Sequence, residues 1–181
     1  SELGHICQVG GQKLMLLQTS FHMVGNHKLS LEENFYLGVK KYYYYRLSYK
    51  MKNKLKIVLA QLNPIVGDVK GNVQKLINIR SNLNNNIDII VVPELYISGY
   101  PIDDLVLRDD FLELVGDQIN KLAKLTNDGK AAIIIGAPRK EKDTIRNSVF
   151  VLDEGEIIAF RDKHNLPNSG VFDEQRIFSQ G

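Results

Sequence analysis

The 181-residue sequence has no tryptophan, one cysteine and five prolines. A lone cysteine excludes an internal disulfide and any cysteine-based metal cluster, and Cys7 reads as an ordinary thiol. No apolar run approaches the length of about 20 residues that a bilayer-spanning helix needs. The apolar runs, 89–92 and 131–135 among them, have strand length. No basic segment followed by a long apolar stretch opens the chain, so a cytoplasmic protein without a secretory leader is expected. Neither GxGxxG nor Walker spacing occurs, which argues against a phosphate-cradling loop. The net charge is only +2. No basic stripe marks a nucleic-acid partner.

What is present is unevenly spread. Six of the eight tyrosines and three of the four histidines precede Met51, whereas all five prolines follow it. Residues 1–50 hold six Lys/Arg against three acids, so the basic balance belongs to that segment. Residues 1–50 therefore read as an extension outside the domain, either foreign to it or an N-terminal arm partly helical over 29–45. Residues 51–181 read as the domain.

Beyond Met51 the pattern alternates between strand and helix periods. Residues 54–62 predict a strand. Residues 72–83 predict a helix with Val73, Leu76, Ile77 and Leu83 on one stripe. The apolar run 87–92 predicts a strand buried on both faces. A breaker-rich loop follows, in which Asp103 caps a short turn over 104–107. Asp109 or Asp110 caps a helix reaching Leu125, with Phe111, Val115, Ile119 and Leu122 inward. Residues 131–135 predict a third strand. Residues 147–152 and 156–161 flank Asp153-Glu154-Gly155, a hairpin signal. Apolar strands joined by amphipathic helices predict an α/β layered sheet. Right-handed crossovers place both helices on one face. The other face is apolar too and requires a cover.

Ligand sites in such sheets lie outside the carboxyl ends of strands. Glu94 directly follows the strand at 87–92, and Lys163 follows that at 156–161. A partly desolvated carboxylate there suits a general base. A neighbouring ammonium suits the negative charge of a tetrahedral intermediate. A loop-capping glutamate and a solvated lysine fit the same positions. His164 reads as a surface residue. Asp103, Asp104, Asp109 and Asp110 read as helix-capping acids, with no metal expected.

Pro93-Glu94-Leu95 with Ser98-Gly99-Tyr100-Pro101 resembles the catalytic-glutamate segment of the nitrilase, or carbon–nitrogen hydrolase, superfamily. Lys163-His164-Asn165-Leu166-Pro167 resembles its catalytic-lysine segment. Ala60-Gln61-Leu62-Asn63-Pro64, Val66-Gly67-Asp68, Gly136-Ala137-Pro138-Arg139 and Gly170-Val171-Phe172-Asp173-Glu174 are similar to the glutaminase domains of glutamine-dependent NAD synthetases. The resemblance spans 51–181. It implies an α-β-β-α sandwich, of which these residues supply the first half, a mixed sheet with two helices on one face. It also implies a Glu–Lys–Cys triad that hydrolyses glutamine and passes ammonia to a synthetase domain, which amidates deamido-NAD.

By that resemblance Glu94 is the base, Lys163 steadies the oxyanion, and Glu174 supports the pair. Tyr100 and the position of Ser169 line the glutamine pocket, although a tyrosine is expected at 169. The implied cysteine lies beyond Gly181, and Cys7 precedes the first strand. Without that thiol the chain is expected to be inactive alone. ATP and Mg are expected only in the synthetase domain, and no cofactor here. Exposed sheet surface makes oligomers or aggregates the expected state. Two alternatives stand beside this reading: another amidase or nitrilase, and a non-catalytic partner subunit.

Overall fold

The computed structural model describes residues 5–9 and 12–20, as backbone alone, together with 54–170 and 172–181. Contacts divide the chain into two units, 1–17 with 56–181, and 18–55; the first is described below. Strands β1 (His5–Val9) and β2 (Gln12–Ser20) pair as an antiparallel ribbon, and Cys7 sits on β1. The possible helix over 29–45 lies outside the described residues.

The remaining strands are β3 (Lys54–Gln61), β4 (Ile89–Val91), β5 (Ala132–Glu141), β6 (Thr144–Asp153) and β7 (Glu156–Asp162). They lie side by side in chain order. β3, β4 and β5 are parallel, whereas β6 runs against both β5 and β7. The carboxyl ends of β3, β4, β5 and β7 therefore share one edge, at which β6 begins. This is the mixed sheet with two helices that the sequence predicts.

Helix α1 (Val69–Ser81) starts three residues before the predicted position. The cause is Asp68, whose carboxylate accepts the Gly71 N–H at 3.0 Å and so caps the first turn. Val69, Val73, Leu76 and Ile79 are buried, while Ile77 and Leu83 only flank the core. Arg80 ends the helix from inside: its guanidinium forks onto Asp128 at 2.8 and 2.9 Å and reaches the Ala131 carbonyl at 2.7 Å. This ties α1 to the entry of β5.

Helix α2 (Asp109–Leu125) buries Phe111, Val115, Ile119 and Leu122, as its periodicity predicts. Its cap position belongs to Arg108 and makes no side-chain cap bond, so neither aspartate caps it. Asp109 instead pairs with Lys140 and Asp110 with Arg108, both in the first turn, where negative charge meets the positive end of the helix. Asp103 likewise does not cap. It opens the 3-10 helix Asp103–Leu107 with φ of 46°, behind Ile102.

The core lies between the helices and the sheet. Leu76, Ile90, Leu122, Ile133, Ile135 and Leu152 are essentially sealed from solvent. Each contributes on the order of 1.5–3 kcal/mol by burial. β4 is shorter than predicted, and only Ile90 is fully buried; Ile89 and Val91 are half-buried. Two-sided burial needs two covers, and among the described residues no second sheet lies over the face opposite the helices. The β6–β7 hairpin turns at Glu154 and Gly155, both with positive φ of 51° and 88°, the geometry a two-residue hairpin requires. β5 runs on to a second hairpin at Lys142, where φ is 54°. Among the described residues, no helix is long and apolar enough to cross a membrane.

Candidate active site

After β4 the chain climbs over the open face of the sheet. Val92 N–H still bonds the Ile134 carbonyl at 3.1 Å, and Ile97 N–H reaches the Gly136 carbonyl at 3.4 Å. Between them Leu95 adopts φ of 48°, an unusual value for a branched side chain. That reversal sends Leu95, Tyr96 and Ile97 into the core, where all are buried. Glu94 stays above the sheet. Gly136 permits this arrangement, because a Cβ there would lie 2.5 Å from the Leu95 nitrogen and 2.9 Å from the Glu94 Cα.

Asn72 holds the loop from below. Its amide donates to the Ile65 carbonyl at 2.8 Å and the Ile97 carbonyl at 3.2 Å, and its oxygen accepts the Ile65 N–H at 2.8 Å. The Tyr96 hydroxyl donates to the Asn72 carbonyl at 3.0 Å. Burial pushes that phenol far above its usual range, so it remains a neutral donor.

Glu94 Oε1 accepts from two groups: Asn147 Nδ2 at 2.6 Å and Lys163 Nζ at 2.8 Å. Lys163 Nζ also donates to Glu174 Oε1 at 2.9 Å. The lysine is thus clamped between two carboxylates. Its backbone is fixed as well: Lys163 N–H donates to the Asn147 carbonyl at 2.8 Å, and its own carbonyl accepts the Gly181 N–H at 3.1 Å. Desolvation pulls the Lys163 pKa down, but hydrogen bonds and charge from Glu94 and Glu174 outweigh it, and the pKa lies above its ordinary value. The ammonium is therefore charged throughout the neutral range.

The side chains form a gradient of exposure. That of Glu174 is 6% exposed, that of Lys163 30% and that of Glu94 49%. Glu94 is half open, on the face over which, among the described residues, no second layer lies. Glu174 is carried by the 3-10 turn Glu174–Arg176, which Leu166 and Phe178 anchor in the core. Its Oε2 is buried and has no hydrogen-bond partner among the described residues.

Of the residues picked out in the sequence, Glu94, Lys163 and Glu174 meet directly. Tyr100 stands half-exposed beside them: its pKa is raised by burial first and then by the charges of Glu174 and Glu94, with Lys163 opposing. Ser169 is exposed in a turn closed by Phe172 N–H onto its carbonyl at 3.1 Å, and no described contact joins its side chain to the three charged groups. His164 is exposed, its Nδ1 2.8 Å from the Gly181 carbonyl oxygen. Asn147 is the member that sequence reasoning missed. Its signal was the polar pair Asn147-Ser148 just before the apolar run 149–152, both buried.

A carboxylate and an ammonium at one sheet edge, facing an open surface, can move a proton and hold an oxyanion. The carbon–nitrogen hydrolase family profile matches residues 56–181. A glutamine-dependent NAD(+) synthetase of Thermotoga maritima is 39% identical over 129 residues, covering 71% of this chain and 22% of the relative. That of Aquifex aeolicus is 38% identical over 127 residues, covering 70% and 22%. The chain thus spans about a fifth of the length of these relatives. Among solved structures, the glutamine-dependent NAD+ synthetase of Acinetobacter baumannii superposes with a TM-score of 0.65 at 33% identity, over 70% of this chain and 24% of that one. An amidase from Nesterenkonia sp. shares the fold, with a TM-score of 0.59 at 17% identity, over 70% of this chain and 48% of the amidase. On the match over residues 56–181, the chain belongs to the carbon–nitrogen hydrolase family.

Proposed function

We propose that residues 54–181 carry the glutamate–lysine side of a glutamine-hydrolysing site that supplies ammonia for NAD synthesis. The observation that carries this reading is the clamp of Lys163 between Glu94 and Glu174, made across 69 residues of chain at the carboxyl edge of the sheet. Residues 54–181 contain no cysteine, so the thiol comes from outside them. In this mechanism Glu94 accepts the thiol proton as sulfur attacks the carboxamide carbon. The Lys163 ammonium, already fixed, stabilises the oxyanion as it forms. Glu94 then gives its proton to the departing nitrogen, and ammonia leaves a thioester. A water molecule, deprotonated by Glu94, attacks the thioester and releases glutamate. Asn147 holds Glu94 in reach of both proton positions. Tyr100, and less directly the turn at Ser169, bound the substrate side. ATP and magnesium act in a separate synthetase domain.

The test is ammonia release from glutamine by the whole gene product. Glu94→Gln and Lys163→Ala should each lower kcat by roughly 10²-fold or more, the scale of a positioned acid–base or charge-stabilising group. Residues 1–181 alone should release none. Glutamine turnover by residues 1–181 alone would sink the proposal. Preferential hydrolysis of short aliphatic amides would point to an amidase instead.

A further inference from the structure

We propose that Asp162 and Arg139 are positioning residues: on the helix-covered face they fix the strand end from which Lys163 reaches Glu94 and Glu174 on the other. This rests on Lys163 being a working member of the site. Successive residues of a strand point to opposite faces. Asp162 closes β7 and pairs in register with Ser148 of β6, which pairs in turn with Ala137 of β5. Ser148 Oγ donates to Asp162 Oδ1 at 2.6 Å. Arg139, on the same face of β5, grips both Asp162 oxygens, from Nε at 3.3 Å and Nη2 at 2.7 Å. The Arg139 Cζ itself lies 4.6 Å from the centre of the Phe160 ring, a cation–π contact. Neighbouring residues of β6 thus serve the two faces at once: Ser148 secures Asp162, and Asn147 secures Glu94 and the Lys163 N–H.

The arrangement needs this support because Lys163 lies just past the last strand residue. A flexible four-carbon stem ending in a point charge does not select its own direction. Aiming it at two carboxylates requires the Cα to be fixed. The Asn147 carbonyl fixes one side of the residue and the Asp162 anchor fixes the residue before it. Arg139 and Asp162 touch neither Glu94 nor Glu174, so their effect on the site passes through the Lys163 backbone.

The experiment is a carbon-13 NMR titration of the 181-residue chain labelled at lysine Cε, with signals assigned by Lys163→Arg and Lys140→Arg. The groups facing Lys163 are Glu94, Glu174 and Tyr100. In Asp162→Asn and in Arg139→Gln, the Lys163 midpoint should fall on the order of half to one pH unit toward its ordinary value. Lys140, held up by its hydrogen bond to Asp109, should not move and so reports an intact fold. A Lys163 midpoint unchanged in both variants overturns the proposal. Should either variant fail to fold, Ser148→Ala, which removes one hydrogen bond, decides: a smaller fall supports the proposal and no fall overturns it. Glutamine turnover is not read, so the titration can fail while Lys163 remains catalytic, and the reverse.

Discussion

Replacing Gly136 by alanine tests how the site is mounted on the sheet. The added Cβ would meet backbone, the Leu95 nitrogen at 2.5 Å and the Glu94 Cα at 2.9 Å, and backbone cannot rotate away. Ordinary contact begins at 3.4 Å, so the Glu94 turn must lift by about 1 Å. Overpacking of this kind costs roughly 1–3 kcal/mol. A 1 Å lift also breaks bonds of 2.6 and 2.8 Å from Asn147 and Lys163 to Glu94. Misplacement on that scale can lower a rate about 10²-fold. Gly116 supplies the control. It lies exposed in α2, and a Cβ there meets nothing within 4 Å. Gly116→Ala should therefore stabilise, by about 0.5–1 kcal/mol, through helix propensity alone. Urea denaturation followed by circular dichroism reads both. The same added methyl should shift the two midpoints in opposite directions. If Gly136→Ala lies within about 0.5 kcal/mol of the parent, the surface-substitution scale, the close-approach argument fails.

Asn72→Ala should cost roughly 3 kcal/mol, about 1 for each of its three side-chain hydrogen bonds, and chemical-shift changes should spread to Ile97 and Ser98. Tyr96→Phe should cost only about 0.5–1.5 kcal/mol in the same denaturation, since one hydroxyl bond is lost and shape is kept. Asp128 is held below its ordinary 3.8, first by its hydrogen bond from Arg80, against a desolvation that raises it. Its contribution is therefore full above about pH 4 and is lost as pH falls below that, so an Asp128→Asn variant should show a flatter acid limb in urea midpoint against pH. Lys163 has the opposite sign: its pKa is raised above 10.5, so its contribution is full below that pH and is lost as pH rises through the raised value. Lys163→Met should flatten the alkaline limb of the same plot.

Periodicity made the layers legible, and chemistry at element ends was less so. β3, α2 and the β6–β7 hairpin announce themselves by apolar spacing or by Glu154-Gly155, because those signals are local. The start of α1 lies ahead of its periodic stretch because its first inward residue, Val69, sits in a loop-like stretch of valine, lysine and glycine that the Asp68 cap converts to helix. The aspartates at 103, 109 and 110 illustrate the reverse: residues that favour caps sit here inside helical turns, where tertiary partners such as Lys140 engage them. Glu94 and Lys163 could be picked out because each follows a strand. Their meeting could not be, since it depends on β6 running against its neighbours and returning β7 to the direction of β4. Asn147 was hidden for the same reason: a polar residue in a strand acquires meaning only once its cross-strand neighbours are known.

The sheet order also carries a kinetic consequence. β5, β6 and β7 pair as consecutive hairpins whose turns are only two residues long, so their contacts form with little loop closure. β3 and β4 must wait for a helical crossover, and the bond from Lys163 to Glu94 closes a loop of 69 residues. Chains with such distant pairings fold more slowly than those built from neighbours. The meander is thus the natural early platform, and the Lys163–Glu94 contact is expected among the last to close. A partly folded chain would then hold a formed sheet edge while Glu94 and Lys163 are still apart, so that the charged cluster is completed only with the fold.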